Sequence, residues 1–346
     1  MLFLSGILLY ASTVNAKWGS PRPEFQKGMC YVTWAKERYL SPQSDESLKE
    51  LAKTGTNWVA ITVNWYQDKC YTTSIFSTPK TASDASLIHA IATAHALGMK
   101  VLLKPHIDLL DMSGGSWRGE IACVTEPDWD EWFNNYENFI LHYAKIAQEN
   151  NVELFCIGTE LASVATTKEK MWRKKVIAPV KKVYKGPIMY AANWNEEYSQ
   201  IRFWDALDYV GIDAYFPLSE TERPNLNEIK RGWEVWVKDI EAFQAKVNKP
   251  IIFPEIGYSS APGAAKTPWE EISSGRADPE LQADCYRAAL ESFWDKDWFY
   301  GMYWWRWGTD VRYGGISNKG YSLQNKPAQT VVTEWYKSDR KVKGKY

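Results

Sequence analysis

The sequence predicts an α/β fold closed as a (β/α)8 barrel, on three observations. Short apolar runs recur along the chain, each is followed by a stretch with helical spacing, and there are eight such pairs. Strands buried on both faces read as continuous apolar runs, and strand–helix alternation implies a parallel sheet. Eight units close naturally into the TIM-barrel architecture, one domain for a chain of this length. An open doubly wound sheet is the alternative, but no G-x-G-x-x-G follows the first run.

The elements follow in order. The run at 29–34 (MCYVTW) precedes a helix at 45–53 that stops before Gly55. The run at 58–63 (WVAITV) precedes an Ala-rich helix at 85–97, closed by Gly98, as a C-terminal glycine closes helices generally. The third run, 100–105, leads to a long amphipathic helix at 129–148. The fourth, 154–158, leads to a helix at 168–184, and the fifth, 188–192, to a short helical piece near 200–207. The last three runs are 209–213, 251–253 and 302–305, followed by helices at 226–247, 279–294 and 328–336.

Flanking segments read differently. Residues 1–16 (MLFLSGILLYASTVNA) carry an apolar stretch too short to span a bilayer and end on a small-residue cleavage pattern, Val14-Asn15-Ala16. They are expected to form a signal peptide, although a basic start is missing. Residues 17–338 are expected to form the barrel and 339–346 a charged, frayed tail. No later segment is long and apolar enough to cross a membrane, so a secreted product with no membrane partner is expected.

Composition narrows the function. The chain has 346 residues with 41 Lys and Arg against 42 Asp and Glu. That balance argues against nucleic acid, which needs a basic excess. Five cysteines without C-x-x-C, and four histidines without H-E-x-x-H, argue against a zinc site. Cys30 and Cys156 lie in strand runs and are expected as buried thiols. Cys70 and Cys123 lie in loops, where an oxidising compartment would permit them to pair. The load of 19 Trp and 20 Tyr is high. It fits either a large aromatic core or a surface for sugars, which offer apolar faces and polar edges together.

The chemistry concentrates at two strand ends. In ELFCIGTELAS an apolar run opens onto Glu160, and in PIIFPEIGY another runs into Glu255. Barrel strands point their C-termini at one face, which carries the site, so both carboxylates rise from one rim. A single Glu there reads equally as a helix-end or ion-pair residue; two suggest a catalytic pair. A retaining glycosidase needs such a pair, one protonated to help the leaving oxygen depart and one ionised to attack the anomeric carbon. Burial and mutual repulsion can separate their pKa values. No cofactor is expected, since two carboxylates and a water suffice.

Other rim residues are candidates for substrate contact. Lys104, His106 and Asp108 form a polar cluster that either binds sugar hydroxyls or supports the rim. Asp213 ends the sixth strand, facing substrate or serving the structure, and Tyr215 follows it, within reach of the seventh-strand carboxylate or lining the barrel mouth. Trp65, Trp117, Trp194 and Tyr258 lie just past strand ends or in rim loops. The glycine-rich SGGSW at 113–117 lacks the Gly-Lys-Ser/Thr ending of a phosphate loop and reads as a rim loop presenting Trp117.

The words IGTEL and PEIGY, the opening KGMCYVTW and the run GIDAYFPL resemble glycoside hydrolase family 113 of clan A, over about residues 25–336. The resemblance implies a retaining (β/α)8 β-1,4-mannanase acting on a β-linked polysaccharide or oligosaccharide, with Glu160 as acid/base and Glu255 as nucleophile. It implies Trp305 as the platform under the sugar at the cleavage point. Many clan members place Asn directly before the acid/base, where it binds the sugar 2-hydroxyl; Thr159 stands there in this chain. Asn193 and Asn64 are the candidates for that contact. A glycosidase or transglycosylase of other sugar specificity, or a non-catalytic sugar-binding barrel, are the alternatives.

Overall fold

The computed structural model describes residues 24–272 and 275–338, so the expected signal peptide (1–16) and charged tail (339–346) lie outside the described residues. The first half comprises β1 (Gln26–Tyr31), α1 (Pro42–Ala52), β2 (Trp58–Gln67), α2 (Asp84–Ala96), β3 (Lys100–Leu109), α3 (Glu126–Glu149) and β4 (Leu154–Thr159). Short helices α4 (Ala162–Thr167), α5 (Glu169–Met171) and α6 (Ala178–Val183) then lead to β5 (Ile188–Asn193) and α7 (Glu197–Gln200). The remainder is β6 (Tyr209–Asp213), α8 (Leu226–Val247), β7 (Ile251–Ile256), α9 (Pro279–Phe293), β8 (Phe299–Trp307) and α10 (Pro327–Lys337). Each strand pairs in parallel with the next, and β8 pairs with β1, closing the barrel. Among the described residues no helix is long and apolar enough to cross a membrane.

Helix starts follow local chemistry. Ser41 and Ser83 cap α1 and α2 by accepting from backbone N–H groups, and Thr125 and Asn225 open α3 and α8 with capping boxes. The helix expected at 168–184 is broken instead. Between α5 and α6 the segment Trp172–Ile177 winds as a π-helix. Pro179 has no N–H for the carbonyl four residues back, which loosens the winding there. Strand β1 begins and ends three residues earlier than expected, at Gln26 and Tyr31. Strands β2 and β3 run beyond their apolar stretches because the barrel interior accepts polar side chains near its mouth, and β8 extends at both ends, from Phe299 to Trp307.

The two faces of each strand meet different cores. Cys30, Ala60, Leu102, Cys156, Met189, Ala191, Ile252 and Tyr303 fill the barrel interior. Residues one position away, such as Ile61, Leu103 and Trp304, pack outward under the helices, as the period of two requires. Much of the aromatic load is structural: Trp132, Trp172, Trp233, Trp304 and Trp307 are fully buried. Trp304 stacks on Tyr286 with ring centroids 3.9 Å apart. Trp307 Nε1 donates to Ser47 Oγ at 2.9 Å, tying β8 to α1. All five cysteines are free thiols, Cys70 and Cys123 among them.

Candidate active site

Above its apolar filling the barrel turns polar. Lys104 on β3 and Asp213 on β6 are fully buried, and Glu255 on β7 is 4% exposed. Charges so placed are stable only when paired. Lys104 Nζ lies 2.6 Å from Glu255 Oε1 and 3.2 Å from Asp213 Oδ1. Burial works against the Lys104 charge, but the Asp213 and Glu255 carboxylates outweigh it and hold the ammonium above its ordinary pKa. Asp213 is pushed well above the usual carboxylate range by burial, then by the Glu255 charge, with Lys104 pulling the other way.

Glu255 has two further neighbours. Tyr215 donates its hydroxyl to Oε2 at 2.8 Å. His106 Nε2 stands 3.8 Å from Oε1. Burial and the cations Arg118 and Lys104 hold the imidazole well below its ordinary pKa, so it is neutral. A cation and a phenol thus fix both carboxylate oxygens of Glu255 in one orientation.

Glu160 follows β4 with a left-handed backbone, φ 51°, a conformation that a non-glycine residue holds only when its surroundings enforce it. Its own N–H donates to Ala191 O at 2.8 Å, and the next N–H, of Leu161, donates to the Tyr190 hydroxyl at 2.7 Å. Asn193 Nδ2 donates to Glu160 Oε1 at 2.8 Å. All three anchors belong to β5. Gly158 permits the approach of β4 to that strand: a Cβ there would meet the rings of Trp172 and Tyr190 at 2.8 Å.

Arg118, from the loop after β3, places Nη1 3.5 Å from Glu160 Oε2 and pairs with Asp108 through Nη2. Asn64 Nδ2 holds the other Asp108 oxygen at 2.5 Å. Burial raises the Glu160 pKa; the Glu255 charge adds to this, while Arg118 and Asn193 oppose it. The two carboxyl groups therefore occupy unlike settings on one rim.

A cleft of about 720 Å³ opens over them. Glu160, Glu255, Trp117, Asn193, Trp194, Tyr215 and Trp305 line it, together with Gly115 of the SGGSW loop. The structure so brings seven of the expected site residues to one wall. Lys104, His106 and Asp213 lie beneath it, buried, and support the carboxylates rather than meeting the cleft. Asp108 reaches the cleft only through Arg118. Asn64, 4% exposed and bonded to Asp108, is not part of the wall, so of the two expected asparagines it is Asn193 that faces the cleft.

Two expected sugar contacts stand elsewhere. Asn64 faces into the barrel, so Trp65 faces out; its Nε1 donates to Tyr143 on α3 at 2.6 Å, and its ring lines a separate hollow beside α3. Tyr258 is fully buried behind the barrel against Tyr286. Sequence reasoning also missed wall residues: Arg118, Asn195, Trp269 and Tyr321. Trp269 stacks on Trp194 with centroids 5.1 Å apart and planes at 20°. It missed Glu197 as well, whose buried carboxyl accepts from Tyr190 at 2.6 Å and from Asn193 N–H at 2.6 Å. Arg118 adjoins Trp117 in a loop already singled out; a cation there was its one sequence signal.

Comparison with known proteins shows the family and the fold. The sequence profile described as Glycoside Hydrolase Family 113 matches residues 29–326. A solved structure titled as a complex of a family 113 β-1,4-mannanase is 30% identical, covering 91% of this chain and 100% of that one, with a TM-score of 0.81. A family 113 β-mannanase from Alicyclobacillus acidocaldarius, solved with ManMIm, is 29% identical over 90% of this chain and 97% of that one, again with a TM-score of 0.81. A β-glucuronidase from Ruminococcus gnavus, 14% identical, covers 91% of this chain and 51% of that one with a TM-score of 0.63 and shares the fold alone. No curated protein matches the sequence.

Proposed function

The chain belongs to glycoside hydrolase family 113, and on that premise we propose that it is a retaining β-1,4-mannanase using Glu255 as nucleophile and Glu160 as acid/base. One observation carries the reading: two carboxyl groups, Glu255 held by Lys104 and Tyr215 and Glu160 by Asn193 with Arg118 farther off, open onto one aromatic cleft. Glu255, held by Lys104 and Tyr215, attacks the anomeric carbon and forms a glycosyl ester. Glu160 gives its proton to the departing oxygen. Arg118 and Asn193 then steady the Glu160 carboxylate left behind. A water enters, Glu160 takes its proton, and the ester is hydrolysed with the anomeric configuration retained.

Mannan as substrate is supported by the likeness to solved family 113 β-mannanases. Exposed aromatic surface on Trp269 (45%) and Trp117 (37%) offers platforms beyond the sugar being cleaved, which favours internal cleavage of a chain. The test is reducing-sugar release from β-1,4-mannan, glucomannan, xylan and carboxymethylcellulose, with product sizes and the anomer formed first read by NMR. Mannan cleavage with retention is expected. A 2-fluoro mannosyl inhibitor is expected to label Glu255; a label on another residue removes the assignment. Binding of oligosaccharide without cleavage of any polymer would instead favour a non-catalytic barrel.

A further inference from the structure

We infer that Glu197 is the positioning residue for Glu160: it ties the Tyr190 hydroxyl and the Asn193 backbone to one carboxyl group and so locks two of the three anchors by which β5 holds that residue. The inference rests on the reading of Glu160 as acid/base. The connections form a closed ring. Glu160 is followed by Leu161, whose N–H donates to Tyr190 Oη at 2.7 Å. Tyr190 Oη is 2.6 Å from Glu197 Oε1. Glu197 Oε2 accepts the Asn193 N–H at 2.6 Å, and Asn193 Nδ2 returns to Glu160 Oε1 at 2.8 Å.

The ring holds the acid/base at its backbone and at its carboxyl group at once. Glu160 sits at φ 51°, so its placement depends on neighbours rather than on local preference. A buried carboxyl group is a costly means of pinning a strand end unless each oxygen is satisfied. Glu197 is 2% exposed, and a partner is present at each oxygen. Whether the proton rides on Glu197 or on Tyr190, the chain of contacts is unbroken. Glu197 lines no part of the cleft, so it acts through Asn193 and Leu161 and touches no substrate.

Leaving-group dependence separates this role from general support. A sugar alcohol leaves only when protonated, whereas 2,4-dinitrophenolate leaves without help. Three variants would be compared on mannopentaose and on 2,4-dinitrophenyl β-mannobioside: Glu197→Met, which removes both oxygens at similar size; Tyr190→Phe, which removes the hydroxyl that joins Leu161 to Glu197; and Glu197→Gln, which keeps one acceptor oxygen, for the Asn193 N–H, and turns a donor toward the Tyr190 hydroxyl. For Glu197→Met and Tyr190→Phe, kcat/KM on mannopentaose is expected to fall on the order of 10–100-fold, the size of a small misplacement of a catalytic group. On the dinitrophenyl substrate it is expected to change by no more than about 3-fold, because formation of the glycosyl ester then needs no acid. Glu197→Gln is expected to fall between wild type and Glu197→Met. Equal losses on both substrates, or no loss on mannopentaose, overturn the positioning role while leaving the glycosidase reading intact. If Glu197→Met does not fold, Tyr190→Phe carries the same test. A wild-type protein that cleaves neither substrate overturns the mannanase reading on which the role of Glu197 rests.

Discussion

The two carboxyl groups of the cleft are held by different means. Glu255 is gripped from inside the barrel by side chains of β3 and of the β6 end, with Lys104 Nζ at 2.6 Å and the Tyr215 hydroxyl at 2.8 Å. Glu160 is held from the side by β5, through two backbone amides and one asparagine, and its nearest cation stands off at 3.5 Å. The difference teaches what each group is free to do. A carboxylate with an ammonium on one oxygen and a phenol on the other keeps one orientation. A carboxyl group held mostly by its backbone can gain and lose a proton without rebuilding its surroundings.

The largest effect tests the division itself. Glu255→Gln is expected to abolish mannan hydrolysis, by more than about 10⁴-fold in kcat, since no nucleophile remains. Glu160→Gln is expected to lose roughly 10²–10⁴-fold on mannan and to recover turnover of an activated aryl mannoside when azide is added. Azide rescue of the Glu255 variant with retained configuration would reverse the assignment.

The next test removes the grip on Glu255. Lys104→Met leaves Asp213 and Glu255 facing each other in the barrel without their cation. Breaking such a buried pair is expected to cost roughly 3–5 kcal/mol of stability, read by chemical denaturation, and to lower kcat with it. Smaller is the effect on the other side. Arg118 lowers the Glu160 pKa against burial, and a general acid is active only while protonated. Arg118→Met is therefore expected to raise that pKa and move the alkaline limb of the pH–kcat/KM profile upward. A limb that stays in place, or moves down, detaches Arg118 from Glu160.

The smallest effect concerns stability alone. Burial pushes the Glu197 carboxyl up to about 8, with Tyr190 and Asn193 opposing and the Glu160 charge adding. Its folded pKa exceeds its unfolded value of about 4.3. The folded state therefore binds more protons between these values, and the stability from Glu197 is full below about 4.3 and lost as pH rises through about 8. Tm of the wild type is expected to fall more steeply than that of Glu197→Gln between pH 5 and 8.5. Parallel slopes would exclude Glu197 as the group responsible.

Strand positions were legible because each barrel strand is an apolar run, and the two glutamates were legible because they interrupt such runs at the rim. Side-chain direction was legible in part. Trp304 and Trp305 had to face opposite ways, and Trp305 does line the cleft. The same alternation, applied from Asn64, would have turned Trp65 outward to α3. Tyr258 lies past the regular end of β7, where the period of two no longer governs direction. Arg118, Trp269 and Glu197 depend on how loops and a short helix fold back over the rim. For Arg118 and Trp269 those contacts join residues far apart in the chain, Arg118 with Glu160 and Trp269 with Trp194; Glu197 meets Asn193 and Tyr190 close by in the chain, through a turn that no apolar periodicity marks.

The anchoring of β8 has one more result. Trp305 presents its ring to the cleft from a strand pinned behind by Trp304 stacked on Tyr286 and by Trp307 bonded to Ser47. A ligand ring that lands on Trp305 meets a surface whose backbone is already ordered. Little freedom is left for the protein to surrender there on binding, and the loss falls mainly on the sugar chain, whose linkages must settle into one shape.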